Sequence, residues 1–210
     1  MYGDTIRKPY LRFIAMQSLR SFFVWLMRIH CCRGFGIQSP SDYAFVRYVV
    51  NEHYPYYSYS DLKALMPHVD WKTRKLCCLY FRIANFLQPD VIFGSFCAQA
   101  YYGYLHAGCN KALIIGRMEM QTMSVDHIVK GLFVISVSDA DFTSLLAKVI
   151  GVAGESSIMV VEDIYADKEA KARWREIKAD ERVGVTFDLY YAGIVFFDLK
   201  RYKQSYKINF

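Results

Sequence analysis

Apolar and polar positions change their rhythm near residue 88. Before it, apolar residues recur every three or four positions; after it, short unbroken apolar runs alternate with helical patterns. From Pro9 to Cys32, Phe13, Met16, Leu19, Phe22, Phe23 and Leu26 fall at helical spacing, and Pro9 suits a first turn. Gly34 and Gly36 break that pattern. Ser39 as N-cap, Pro40 at the first helical position and Asp42 three residues after the cap start another helix, which runs through Phe45, Val46 and Val49 to about Glu52. The Tyr-rich stretch that follows reads as loop, and Ser60 or Asp61 caps a short helix ending near Pro67. Asp70 then caps a longer helix, Trp71 to Leu87, with Leu76, Leu79, Tyr80, Ile83 and Phe86 as its buried face. Residues 1–87 are therefore expected to form a helical extension and residues 88–210 an α/β domain, the two packed as one compact unit.

Beyond residue 88 the apolar runs Val91–Phe93, Ala112–Ile115, Leu132–Val137 and Ser157–Val161 read as strands. Helical patterns follow each of them near Ala100–His106, Met120–Lys130, Asp141–Ile150 and Lys168–Ala179. Strands that are apolar throughout are covered on both faces, and their alternation with helices predicts a mainly parallel sheet with right-handed crossovers. Val183–Tyr190 and Gly193–Leu199 are β-rich runs joined by Tyr191-Ala192 alone, so one of them must run antiparallel. Gln204–Phe210 can add an edge strand.

The turn after the first strand carries the candidate chemistry. From Gln88 the chain reads QPDVIFGSFCAQAYYGYLHAG, in which a buried strand stops at Gly94 and passes Ser95, Cys97 and Ala98 into a helix. A strand, a tight small-residue turn and a helix with free N–H groups are what a nucleotide-like ligand needs at the first crossover of such a sheet. This turn has a single glycine, and Phe96 stands in the middle of it. The chain's 54% hydrophobic content, with 17 Tyr and 15 Phe, implies either a large core or apolar surface for a partner. Its net charge of +6 is mild, and neither a phosphate-binding GxxxxGK[ST] loop nor zinc-finger spacing is present, so nucleic acid is not an expected partner. The six cysteines include two adjacent pairs and no CxxC, which points to free thiols in a reducing compartment. No signal-peptide pattern opens the sequence, and a cytoplasmic protein is expected. Arg12, Arg20 and Arg28 interrupt the apolar run of residues 9–32 and disfavour a bilayer span. That segment can pack on the domain or on a second copy as a homodimer contact, or lie on a membrane surface as a basic amphipathic helix. His106 and His127 are isolated, and Tyr101, Tyr102 and Tyr104 can either stack on a ligand ring or fill the core.

Several separated stretches resemble one family. A parallel sheet closed by an antiparallel hairpin is similar to the class I S-adenosylmethionine-dependent methyltransferases. RGFGIQSP, LQPDVIFGSFCA, VVEDIYADKEAKARWREIKADERVGVTFDLYYAGIVFF and QSYKINF resemble a Bacteroides-type branch related to the catechol-type O-methyltransferases. The resemblance runs from about residue 33 to the end and implies a Rossmann-like fold, S-adenosylmethionine as cofactor and a small-molecule substrate. It places Gly94, Ser95 and Ala98 in the cofactor loop, where the family's strand-end acid has become Ile92 and its last glycine Ala98. Glu119 is the candidate for the acid on the ribose hydroxyls. The interval from Ile115 to Phe133 is too short for the family's helix, strand and helix, so the sheet is expected to lack one α/β unit. Relatives hold a metal after their fourth and fifth strands. Here those places offer Asp139, Asp141, Glu162 and Asp163 for Mg²⁺ or Ca²⁺, or else helix caps and solvated carboxylates. Asp163 is also the candidate polar group beside the reacting centre. Three functions follow from this pattern: a degenerate methyltransferase with weak or lost transfer, an active small-molecule O-methyltransferase, and a binding or assembly protein with a peripheral membrane helix.

Overall fold

A computed structural model describes residue 19 and residues 21–95, 99–122 and 127–210. Seven strands form one sheet: β1 (Val91–Gly94), β2 (Leu113–Ile115), β3 (Gly131–Ser136), β4 (Ile158–Glu162), β5 (Thr186–Asp188), β6 (Ala192–Phe196) and β7 (Ser205–Lys207). Their order is β2-β1-β3-β4-β6-β5-β7. All neighbouring pairs are parallel except those of β6, which is antiparallel to both β4 and β5. This is the expected Rossmann-like, mainly parallel α/β architecture with its late antiparallel hairpin. It is also shortened as expected: among the described residues, β2 ends the sheet, and only a short helix and the bridge between Ile128 and Ala153 separate it from β3.

The alternation along each strand explains why the sheet is covered twice. Ile92, Leu132, Val134, Ile158, Val160 and Ile194 face one core, shared with helices α1 (Pro40–Phe45), α3 (Trp71–Leu87) and α4 (Gln99–Gly108). Phe93, Phe133, Ile135, Met159, Val161 and Val195 face the other, shared with α6 (Phe142–Val152) and α7 (Lys168–Ala179). The helices before residue 88 thus pack into the same core as the strands.

Helix starts follow their caps where the cap chemistry is strong. Ser39 accepts from the Asp42 N–H, Asp70 from the N–H groups of Lys72 and Thr73, and Asp167 from that of Ala170. Three expectations shift. Helix α2 (Tyr57–Leu65) starts ahead of Ser60, whose hydroxyl instead donates to the Tyr57 carbonyl at 2.8 Å from inside the helix. The helix after β2, α5 (Arg117–Thr122), starts earlier than expected and does not run to Lys130, because Ile128 is drawn into a bridge with Ala153. Phe86 is 54% exposed, its ring packed edge-on against Phe45 rather than buried in the sheet.

Residues 21–27 are helical. The helix does not reach Cys32 unbroken, because Cys32 is extended and Arg33 takes a left-handed φ of 56° within Ile29–Gly34. Positions 9–18 and 20 of the expected helix lie outside the described residues. The segment is tied to the far end of the chain: Asn209 donates to the carbonyls of Trp25 and Cys31, both at 3.2 Å, and Arg28 pairs with the buried Asp188 at 2.9 Å. Among the described residues no helix is long and apolar enough to cross a membrane.

Candidate functional site

Strand order reverses at β1, so the crevice beyond the carboxyl ends of β1 and β3 is where an open α/β sheet binds its ligands. Gly94 ends β1 and is buried. The Ser95 N–H donates to the Val134 carbonyl at 3.1 Å, and its hydroxyl donates to Asp139 Oδ2 at 2.6 Å. Ala98, the third expected loop residue, lies outside the described residues. Ile92 is fully buried in the core, so the strand end offers no carboxylate there.

Arg117 crosses the crevice. It follows Gly116 at the end of β2, and its guanidinium reaches Asp139 at 2.9 Å and Asp141 at 2.7 Å. Asp139 thereby holds Arg117, the Ser95 hydroxyl and the Ser136 N–H, the last at 3.1 Å. Asp141 sits at the N-cap position of α6 but makes no capping hydrogen bond, because its carboxylate is turned to Arg117. Glu119 stands beside β2, where it accepts the Gly116 N–H at 2.6 Å. Among the described residues, the charged side chains Arg117, Asp139 and Asp141 of the crevice are thus committed to one another.

A second group forms at the end of β4. Asp163 takes a left-handed φ of 60°, a conformation uncommon outside glycine and asparagine or aspartate, and its N–H donates to the Tyr191 carbonyl at 2.9 Å. Its carboxylate accepts from Lys72 Nζ at 2.7 Å and from the Ser136 hydroxyl at 3.4 Å. Lys72 comes from the first turn of α3, which Asp70 fixes over the strand ends. Beside this pair opens a cavity of about 520 Å³ walled by Trp25, Arg28, Trp71, Lys72, Tyr190 and Tyr191, among others. Glu162 faces away from it and accepts from the hydroxyl of the buried Tyr80. Burial raises its carboxyl above the ordinary range, against the hydrogen bonds from Tyr80 and Tyr101. Burial likewise raises the phenols of Tyr80 and Tyr101, with the Glu162 charge adding to it, so both stay protonated as donors.

The expected metal quartet is therefore divided. Asp139 and Asp163 meet at Ser136, but Arg117 balances the first and Lys72 the second, while Asp141 goes to Arg117 and Glu162 to Tyr80. Among the described residues, no group of three His, Cys, Asp or Glu is placed to hold a metal ion. The cations that decide this, Lys72 and Arg117, carry no motif. Their only sequence signal is position, one on the first turn after a cap and one directly behind a strand-ending glycine. Of the three tyrosines, Tyr101 and Tyr104 are buried, whereas Tyr102 is half-exposed and stacks on His106.

No protein-family model matches the chain, and no curated protein sequence does. Among solved structures, the backbone is similar to that of the SAH-bound methyltransferase PaMTH1 of Podospora anserina, with a TM-score of 0.48 and 8% identity over 77% of this chain and 96% of that one. It is also similar to that of a methyltransferase from Geobacter sulfurreducens, with a TM-score of 0.44 and 9% identity over 77% and 97%.

Proposed function

We propose that this chain is a methyltransferase-type protein in which S-adenosylmethionine-dependent methyl transfer is weak or lost. The reading rests on the Arg117 cluster. A guanidinium bound to two carboxylates, with Ser95 on one of them, occupies the polar surface that a nucleoside cofactor would need. Displacing it would leave Asp139 and Asp141 facing each other without a counter-charge, and like charges at close range repel. The test is calorimetric titration of the folded protein with S-adenosylmethionine and S-adenosylhomocysteine, with and without Mg²⁺. Absence of heat and of thermal stabilisation is the expected result. Micromolar binding abolished by Gly94→Trp would overturn the proposal in favour of an active small-molecule O-methyltransferase, with Asp163 and the 520 Å³ cavity as its substrate side.

A second reading, compatible with the first, makes the N-terminal helix a contact with an anionic membrane surface. Leu19, Phe22, Phe23, Leu26, Met27 and Ile29 are each at least 47% exposed and leave the helix with a large apolar surface. The sequence up to Gly34 adds Arg7, Lys8, Arg12, Arg20 and Arg33 against the single acid Asp4, Arg28 being paired with Asp188. Sedimentation with phosphatidylglycerol vesicles, lost on the Phe22→Ser/Phe23→Ser change, supports this reading. A dimer that persists without lipid and dissociates on the same change would assign that surface to a second copy instead.

A further inference from the structure

On the other side of Trp71 and Phe210 from the Lys72–Asp163 pair lies a second cavity, of about 490 Å³. Its wall is cationic and aromatic. Lys75 projects between two rings, with Nζ 4.8 Å from the centroid of Trp71 and 4.4 Å from that of Phe210. Arg82 is only 8% exposed, and its guanidinium is spent on backbone, with Nε donating to the Val49 carbonyl at 2.6 Å and Nη2 to that of Val50 at 3.0 Å. Arg74 donates to the carbonyls of Met66, Pro67 and Val69. Carbonyl oxygens orient these groups but do not neutralise them. Among the described residues, none of Arg33, Arg74, Lys75 and Arg82 is ion-paired to a carboxylate. Among the described residues Glu52 is the one acidic side chain on the wall, and its Oε1 is turned back to the N–H groups of His53 and Tyr54, at 2.9 and 3.0 Å.

A buried guanidinium and a covered ammonium without a counter-ion are costly, and a bound anion offsets that cost. Burial, with the Arg82 charge added, pulls the Lys75 ammonium down to about 8, the response of a cation with no anion beside it. The rings of Trp25, Trp71 and Phe210 line the same space and offer apolar surface next to the charge. We infer that this cavity binds a small organic anion with one acidic head, a phosphate or a carboxylate, joined to an apolar body. The head lies on Lys75 and the Arg82 side, and the body lies along the aromatic wall. This site owes nothing to the cofactor crevice, so its occupation does not depend on whether methyl transfer survives.

Calorimetry on the whole chain tests this with phenyl phosphate and octanoate as complete probes, inorganic phosphate as the head alone and phenol as the body alone. At least one complete probe binds in the micromolar range, and both halves bind at least about tenfold more weakly. Lys75→Met, which keeps the aliphatic stem, weakens the complete probe by about tenfold or more, and Trp71→Ala, at an exposed position, weakens it as well. Affinity also falls as pH rises through about 8, where Lys75 on the cavity wall loses its charge. Failure of both complete probes at millimolar concentration on folded protein overturns the inference. So does binding of equal strength to Lys75→Met, or phosphate binding as tightly as phenyl phosphate.

Discussion

The one ion pair among the described contacts that hold the N-terminal segment over both cavities is Arg28–Asp188, and its removal has a magnitude that can be worked from the structure. Asp188 is 1% exposed, and its side chain accepts from Arg28 at 2.9 Å, from the Tyr165 hydroxyl at 2.6 Å and from the Tyr190 N–H at 3.0 Å. Arg28 also donates to the Asp188 and Ile208 carbonyls. Breaking a buried pair by removing one partner costs about 3–5 kcal/mol, because the remaining charge stays buried alone. With two donors left on Asp188, Arg28→Met belongs at the low end, at about 3 kcal/mol. The segment has a way to limit that cost. If residues 21–34 lift off, water reaches Asp188, and the penalty becomes the free energy of detaching the segment. Urea unfolding of Arg28→Met, Asp188→Asn and the double variant measures both the total and the coupling, and the pair predicts a coupling of about 1–3 kcal/mol. Reactivity of Cys31 and Cys32 with a thiol reagent reads the lifting directly. A stability loss below about 1 kcal/mol together with unchanged thiol reactivity would refute the reasoning.

Three further changes probe the frame around the site. Glu162→Gln removes a carboxyl that burial raises in the folded state. The wild-type group makes the fold less stable as pH rises from its ordinary range through the raised value, so the variant gains on wild type between pH 4 and 8, and an equal difference at both ends would contradict this. Gly193→Ala puts a Cβ into the ring of the buried Trp174; a loss of about 1–3 kcal/mol is expected in chemical denaturation, and a neutral result would mean the ring can move aside. Asp70→Ala strips the cap that bonds Lys72 and Thr73 and should cost about 1 kcal/mol, with the loss shrinking as pH falls below the ordinary carboxyl range and the wild-type group loses the charge that these bonds favour.

Strand positions were legible because the strands are covered on both faces: Ile158, Met159, Val160 and Val161 can be apolar in succession only when each face meets a helix layer. The caps Ser39 and Asp70 were legible for a similarly local reason, since a short acceptor side chain before a helical pattern has one productive use. The boundaries of α2 and α5 were not. Ser60 is as good a cap as Ser39 by composition, and only packing decides that the helix has already begun at Tyr57. The site divides along the same line. Gly94, Ser95, Asp139 and Asp163 were found at strand ends, because topology alone brings strand ends together. What each acid does there depends on cations that arrive from distant segments: Lys72 stands 91 residues before Asp163. A sequence shows four carboxylates that could share a metal. The fold gives two of them an Arg, one a Lys and the last a buried Tyr, and a carboxylate already neutralised by a side chain has little left to offer a divalent ion.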